Sequence, residues 1–146
     1  MEKNVWIKLC GSQEIEGESD SYELITEGTY KKEEDKYIVT YEGSEITGYE
    51  NTTTTLTVAK DNVSMLRMGT TPTQMIFEKG NKYTGQYETP FGFLYVGVMT
   101  NDMNVNVGDD GGSISLDYYV QFNDNEPVKN SLYVEVTEKD DLYTEN

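Results

Sequence analysis

Val5-Trp6-Ile7-Lys8-Leu9-Cys10 sets the pattern of this chain: the aliphatic side chains of Val5, Ile7 and Leu9 alternate with Trp6, Lys8 and Cys10. In an extended backbone successive side chains point to opposite faces, so this two-residue beat marks a strand with one face in a core. The beat recurs to the end of the chain, and no segment keeps the spacing of a long helix. Composition agrees. Twelve Tyr with many Thr and Val suit a pleated surface, while Ala, the best helix former, occurs once, at Ala59.

Working outward, turn-forming residues cut the chain at Lys32 to Lys36, Gly43 to Gly48, Lys60 to Asn62, Met68 to Pro72, Lys79 to Asn81, Thr89 to Gly92, Asp109 to Gly112 and Asn123 to Pro127. The strands predicted between them are Val5 to Glu14, Ser21 to Tyr30, Tyr37 to Glu42, Thr52 to Ala59, Val63 to Met68, Gln74 to Glu78, Lys82 to Glu88, Phe93 to Val107, Ser113 to Asn123 and Val128 to Glu138. Phe93 to Val107 is long for one strand, and a bend or bulge is expected at Gly97 or near Asn101. The consecutive threonines Thr52 to Thr55 read as strand and not as a binding array. Short turns between so many strands describe an all-β, antiparallel up-and-down meander. Eight to ten twisted strands remove their exposed edges by closing into a barrel. A two-sheet sandwich obeys the same alternation.

The 146 residues suit one domain with one continuous core, and the acidic tail from Lys139 to Asn146 is expected to fray. Eleven Lys plus Arg against 27 Asp plus Glu give a formal charge of −16, which repels nucleic acid and anionic membranes. A basic protein partner or a homodimer stays open. Cys10 is the only cysteine, so no intramolecular disulfide forms, and Met1 to Ile15 lacks the apolar core of a signal peptide. A cytoplasmic setting is expected. No apolar run approaches the roughly 18 residues that span a bilayer. Asn51-Thr52-Thr53 and Asn62-Val63-Ser64 read as chance sequon matches.

With the strands placed, Gln74-Met75-Ile76-Phe77-Glu78-Lys79-Gly80 followed by Tyr87-Glu88-Thr89-Pro90-Phe91-Gly92 resembles the YwiB-like bacterial proteins, a family of unknown function. Tyr22 to Gly28, Leu66 to Gly69, Gly111-Gly112 and Asn130-Ser131 extend the resemblance in order over nearly the whole chain. Met68 stands where the family often has Ser, a minor departure. The resemblance implies a calycin-like, that is lipocalin-like, β-barrel. It carries over no agreed activity, ligand or catalytic residue. Calycin relatives commonly hold a small apolar or amphipathic molecule, an analogy at the level of fold.

The residues themselves offer little catalytic chemistry. Histidine is absent, which removes the commonest general base and metal ligand. One Cys without His builds neither a thiol–imidazole pair nor a zinc site. No catalytic residue, metal or cofactor is therefore expected. Asp109-Asp110-Gly111-Gly112 lacks the alternating ligands of a calcium loop and reads as a tight turn. A facing carboxylate pair of the glycosidase kind remains a minority reading.

Arg67 is the only arginine in the chain and shares the alternating face of Val63 and Met65, so it is a candidate inward-facing anchor for a carboxylate or phosphate. Leu66 and Met68 make the opposite face equally apolar, and an ion pair or a solvent-facing Arg is the alternative. Tyr22 and Tyr30, Tyr37 and Tyr41, and Tyr83 and Tyr87 share faces in pairs; such rings either line a cavity for an amphipathic ligand or simply pack. Met65, Met75, Phe77 and Phe91 carry the same two readings. The candidate ligand-binding set is Arg67, Tyr22, Tyr37, Tyr83, Tyr87 and Met65. The function these residues suggest is non-catalytic binding of a small amphipathic or anionic molecule in the barrel. A solid-cored interaction or self-association module is the alternative.

Overall fold

A computed structural model describes residues 2–43, 51–69 and 72–139; the side chains of 87–89 lie outside the description. Ten strands follow one another: β1 Glu2–Ile15, β2 Glu18–Glu33, β3 Lys36–Glu42, β4 Thr53–Val58, β5 Val63–Met68, β6 Thr73–Phe77, β7 Lys82–Thr89, β8 Gly92–Gly108, β9 Gly111–Phe122 and β10 Val128–Glu138. All pair antiparallel in one continuous sheet of order β6-β5-β4-β3-β2-β1-β10-β9-β8-β7. Its two end strands are consecutive in the chain. The Gly80 N–H donates to the Thr100 carbonyl across the junction, and the result is a nearly closed barrel, not a two-sheet sandwich.

The opening hexapeptide behaves as its alternation requires. Val5, Ile7 and Leu9 are at most 1% exposed, and Ile7 faces Thr26 and Val136 while Leu9 faces Leu24 and Val134. Because register is propagated pair by pair, one inward row specifies the next. Val39, Leu56, Met65, Phe77, Val98, Leu116 and Val134 continue it around the wall as a single core cluster. The expected irregularity of β8 is a bulge between Thr100 and Asp102, at Asn101, which returns Met103 to the inside opposite Leu116. Gly97 pairs regularly with Thr84 and Gln121.

One turn escapes the sequence reading. Glu16 (φ 52°) and Gly17 (φ 82°) make a two-residue hairpin connection between β1 and β2, both in the left-handed region. A charged residue at the first position hid it. The centres of two expected turns, Gly43 to Gly48 and Met68 to Pro72, and the tail after Lys139 lie outside the described residues.

The end of the barrel where β8 turns into β9 is plugged. Tyr30, 1% exposed, donates its hydroxyl to the Gly108 carbonyl at 2.7 Å, and Tyr37 stacks on it with ring centroids 5.3 Å apart. Tyr37 in turn donates to Asp109 Oδ1 at 2.6 Å, and Lys3 Nζ donates to the Asp109 carbonyl at 2.9 Å. Burial pushes the Tyr30 phenol far above its usual range. The hydrogen bond between them raises the Tyr37 phenol and holds the Asp109 carboxyl below its ordinary value, with help from Lys32 on the carboxylate.

Two outcomes follow at this end. A carboxyl depressed in the folded state stabilises the fold above the ordinary carboxylate range and loses that contribution as pH falls through its folded value. Asp109→Asn should therefore melt below the wild type at pH 7, with the gap closing on acidification below about pH 4; thermal melts across pH 3–7 measure this, and a gap independent of pH contradicts it. Gly112 has φ 145° and a β-carbon there would run into the Asn106 carbonyl oxygen. Gly112→Ala should cost about 2–4 kcal/mol in denaturant unfolding, and a loss under about 0.5 kcal/mol contradicts the close approach.

Candidate functional site

The opposite end of the barrel is not filled. Its geometry starts at Gly11 on β1, which pairs with Tyr22 on β2. A β-carbon at Gly11 would stand 2.7 Å from the Tyr22 ring, so the ring lies directly on the glycine, the use of a strand glycine that permits close approach. The ring is thereby laid along the wall.

Arg67 comes from β5, on the far side of the sheet order, where it pairs with Thr54 and Thr73. The alternation of β5 settles its direction: Val63 and Met65 are buried, whereas Leu66 is 38% and Met68 52% exposed. Arg67 therefore points inward. Its Nε is shielded from solvent. From β9, Tyr118 sits edge-on against Phe77, centroids 4.7 Å apart and planes at 63°.

These residues enclose a cleft of about 430 Å³. Arg67, Tyr22, Tyr118, Met75, Phe122 and Asn130 line it, with Gln13 and Asp20 among the remaining residues. Six strands from opposing walls, β1, β2, β5, β6, β9 and β10, contribute to it, so it is the mouth of the lumen. Below it the lumen is packed by buried Met65, Phe77 and Leu116. Met75, Val120, Phe122 and Leu132 offer apolar surface; Arg67, the two tyrosine hydroxyls, Gln13 and Asn130 offer polar atoms.

The structure thus brings Arg67 and Tyr22 together and separates the rest of the candidate set. Met65 lies beneath the cleft in the core at 2% exposure, and Tyr83 packs half-buried from β7. Tyr37 belongs to the plugged end. Tyr87 lies in β7 with its side chain outside the described residues. Sequence reading missed Tyr118, Phe122 and Asn130, although each continues a legible inward row: Ile114-Leu116-Tyr118-Val120-Phe122 on β9 and Asn130-Leu132-Val134 on β10. A polar-tipped residue within an apolar row, as at Tyr118 and Asn130, or the last residue of one, as at Phe122, was the available signal.

A second depression of about 510 Å³ lies on the outer wall, where Ser12, Ser21, Ser115 and Ser131 are too short to cover the sheet. Ser12 and Ser131 hydroxyls bond each other at 2.5 Å. Cys10 borders it, with its Sγ 3.7 Å from Glu23 Oε2, and burial together with that carboxylate pushes the thiol up. Among the described residues no group of three His, Cys, Asp or Glu side chains is placed to hold a metal ion, and no helix is long and apolar enough to cross a membrane.

These elements define a nearly closed, ten-stranded antiparallel barrel with one end plugged by tyrosines and the other hollow around a single arginine. The chain belongs to the family described as a domain of unknown function, DUF1934, whose pattern matches residues 7–134. The crystal structure of the YwiB protein from Bacillus subtilis has the same fold, with a TM-score of 0.72 over 92% of each chain at 16% identity. Among curated proteins no match is found.

The Cys10 environment has a direct chemical consequence, because the thiolate is the reacting species. Cys10 should react with 5,5′-dithiobis(2-nitrobenzoate) at pH 7.5 more slowly than glutathione, and Glu23→Gln should accelerate it. A rate equal to that of glutathione contradicts the assigned environment.

Proposed function

We propose that this barrel is a non-catalytic binding protein that takes a small amphipathic molecule into its open mouth, with an anionic head on Arg67 and an apolar body against Met75, Val120, Phe122 and Leu132. The observation that carries this reading is the convergence of the chain's single arginine and two tyrosines on a cleft of about 430 Å³. That volume falls within the ~300–1,000 Å³ of small-molecule sites. A guanidinium in a partly desolvated mouth gives a planar, permanently charged fork that matches a carboxylate, sulfonate or phosphate.

Catalysis finds less support in the same cleft. Asp20 is the acid among its described lining residues, whereas carboxylate-pair hydrolysis uses two. The sequence supplies no histidine for a general base. The packed floor of Met65 and Phe77 restricts the ligand to the mouth, which favours compact molecules over long acyl chains. A reducing, cytoplasmic home fits the lone half-buried thiol.

The test uses 1-anilinonaphthalene-8-sulfonate, an aromatic sulfonate of suitable size. The probe should bind the folded protein, and Arg67→Ala should weaken it ~10-fold or more while Arg67→Lys, which keeps the charge but not the fork, should lose less. Because the protein carries −16 overall, added salt should strengthen binding by screening the repulsion between protein and probe. Unchanged affinity in Arg67→Ala, with circular dichroism showing an intact sheet, contradicts the proposal.

A further inference from the structure

The two ends of the barrel differ in exposed apolar surface and in charge. In an up-and-down barrel the C-terminal ends of odd strands and the N-terminal ends of even strands lie together. Ile15, Met68, Phe91, Phe93 and Phe122 therefore all belong to the end that carries the Arg67 cleft. Their exposures are 48, 52, 99, 60 and 39%. Phe91 sits at the tip of the β7–β8 hairpin, and Phe122 also lines the cleft. Scattered exposed apolar residues are ordinary, but here five gather at one end, with Phe91 at a hairpin tip, Met68 and Phe93 at outward-facing strand positions and Phe122 facing the lumen.

The same end is acidic. Among the described residues, Glu14, Glu16, Glu18 and Asp20 stand exposed on the β1–β2 hairpin, and Asp124 and Glu126 on the β9–β10 turn, against one exposed basic side chain, Lys129. The lysines gather elsewhere: Lys3, Lys31, Lys32, Lys36, Lys60 and Lys79 lie towards the plugged end. An occupant of the mouth rim must therefore offer apolar groups and positive charge together. A second copy docked mouth to mouth would set acid against acid, and an anionic membrane or a nucleic acid would be repelled. A basic peptide meets both requirements.

We propose that the rim of the open end docks a basic polypeptide segment of a partner protein, its apolar side chains against Phe91, Phe93 and Phe122 and its Lys or Arg side chains among the flanking acids. The site is the rim, which shares Phe122 with the small-molecule cleft it encircles and otherwise uses residues outside that cleft's apolar wall.

The experiment measures fluorescence anisotropy of a labelled peptide of alternating lysine and leucine, with a glutamate–leucine peptide as its counterpart. The lysine–leucine peptide should bind, and added salt should weaken it, opposite in sign to the effect on the sulfonate probe in the cleft. The double variant Phe91→Ser/Phe93→Ser and the triple variant Glu14→Gln/Glu16→Gln/Glu18→Gln should each lose ~10-fold or more. A control at the plugged end, Glu33→Gln/Glu34→Gln/Asp35→Asn, removes the same charge and should change affinity less than about twofold. Equal losses in the control and rim triples would reduce the effect to diffuse charge and overturn the proposal. Equal binding of the glutamate–leucine peptide, unchanged affinity in the phenylalanine variant, or no binding of the lysine–leucine peptide would also overturn it. Loss of sulfonate binding in Arg67→Ala with peptide binding retained leaves rim and cleft as distinct sites.

Discussion

A sheet that closes on itself has to fill its own inside, and that volume constraint organises this protein. Along most of the barrel the filling is aliphatic, from Val5, Ile7, Leu9 and the rows they pair with. At one end two stacked tyrosines complete it, and the Tyr30 hydroxyl would be costly to bury without a partner. The β8–β9 turn supplies one in the Gly108 carbonyl and holds the exposed Tyr37 hydroxyl on the Asp109 carboxylate. At the other end the inward row meets Gly11, whose missing side chain admits only the flat of the Tyr22 ring. The volume left over is the cleft.

The fold was legible because alternation is a local signal with a global consequence. Once Val5, Ile7 and Leu9 face inward, every antiparallel partner inherits a face, and the strand boundaries of β5 and β10 coincide with the sequence reading. An irregularity at Gly97 or near Asn101 was anticipated because β8 is long for one strand, and the bulge falls at the second of these places. The β1–β2 turn was not anticipated, because Glu16 with φ 52° is an unusual residue for that conformation and no turn-forming pair announces it.

The site was half legible. Arg67 and Tyr22 were nameable from face-sharing and from the scarcity of arginine, and both line the cleft. Which end of a barrel a residue occupies depends on strand tilt and on where neighbouring strands stop, quantities that periodicity does not carry. Tyr37 has the same local pattern as Tyr22 yet lies in the plug, with its hydroxyl on Asp109, 72 residues away in sequence. Tyr118 and Asn130 were passed over because each is a polar-tipped member of a row whose aliphatic members dominate the pattern.

The division into a plugged and a hollow end is the claim on which the functional reading rests, and backbone amide shift mapping tests it most directly. Titrating ¹⁵N-labelled protein with 1-anilinonaphthalene-8-sulfonate should move the amides of Gly11, Tyr22, Arg67, Tyr118 and Asn130 while those of Tyr30, Tyr37 and Gly108 stay in place. Perturbations centred on the plugged end, or on the outer wall around Ser12, Ser115 and Ser131 without Arg67, would contradict it.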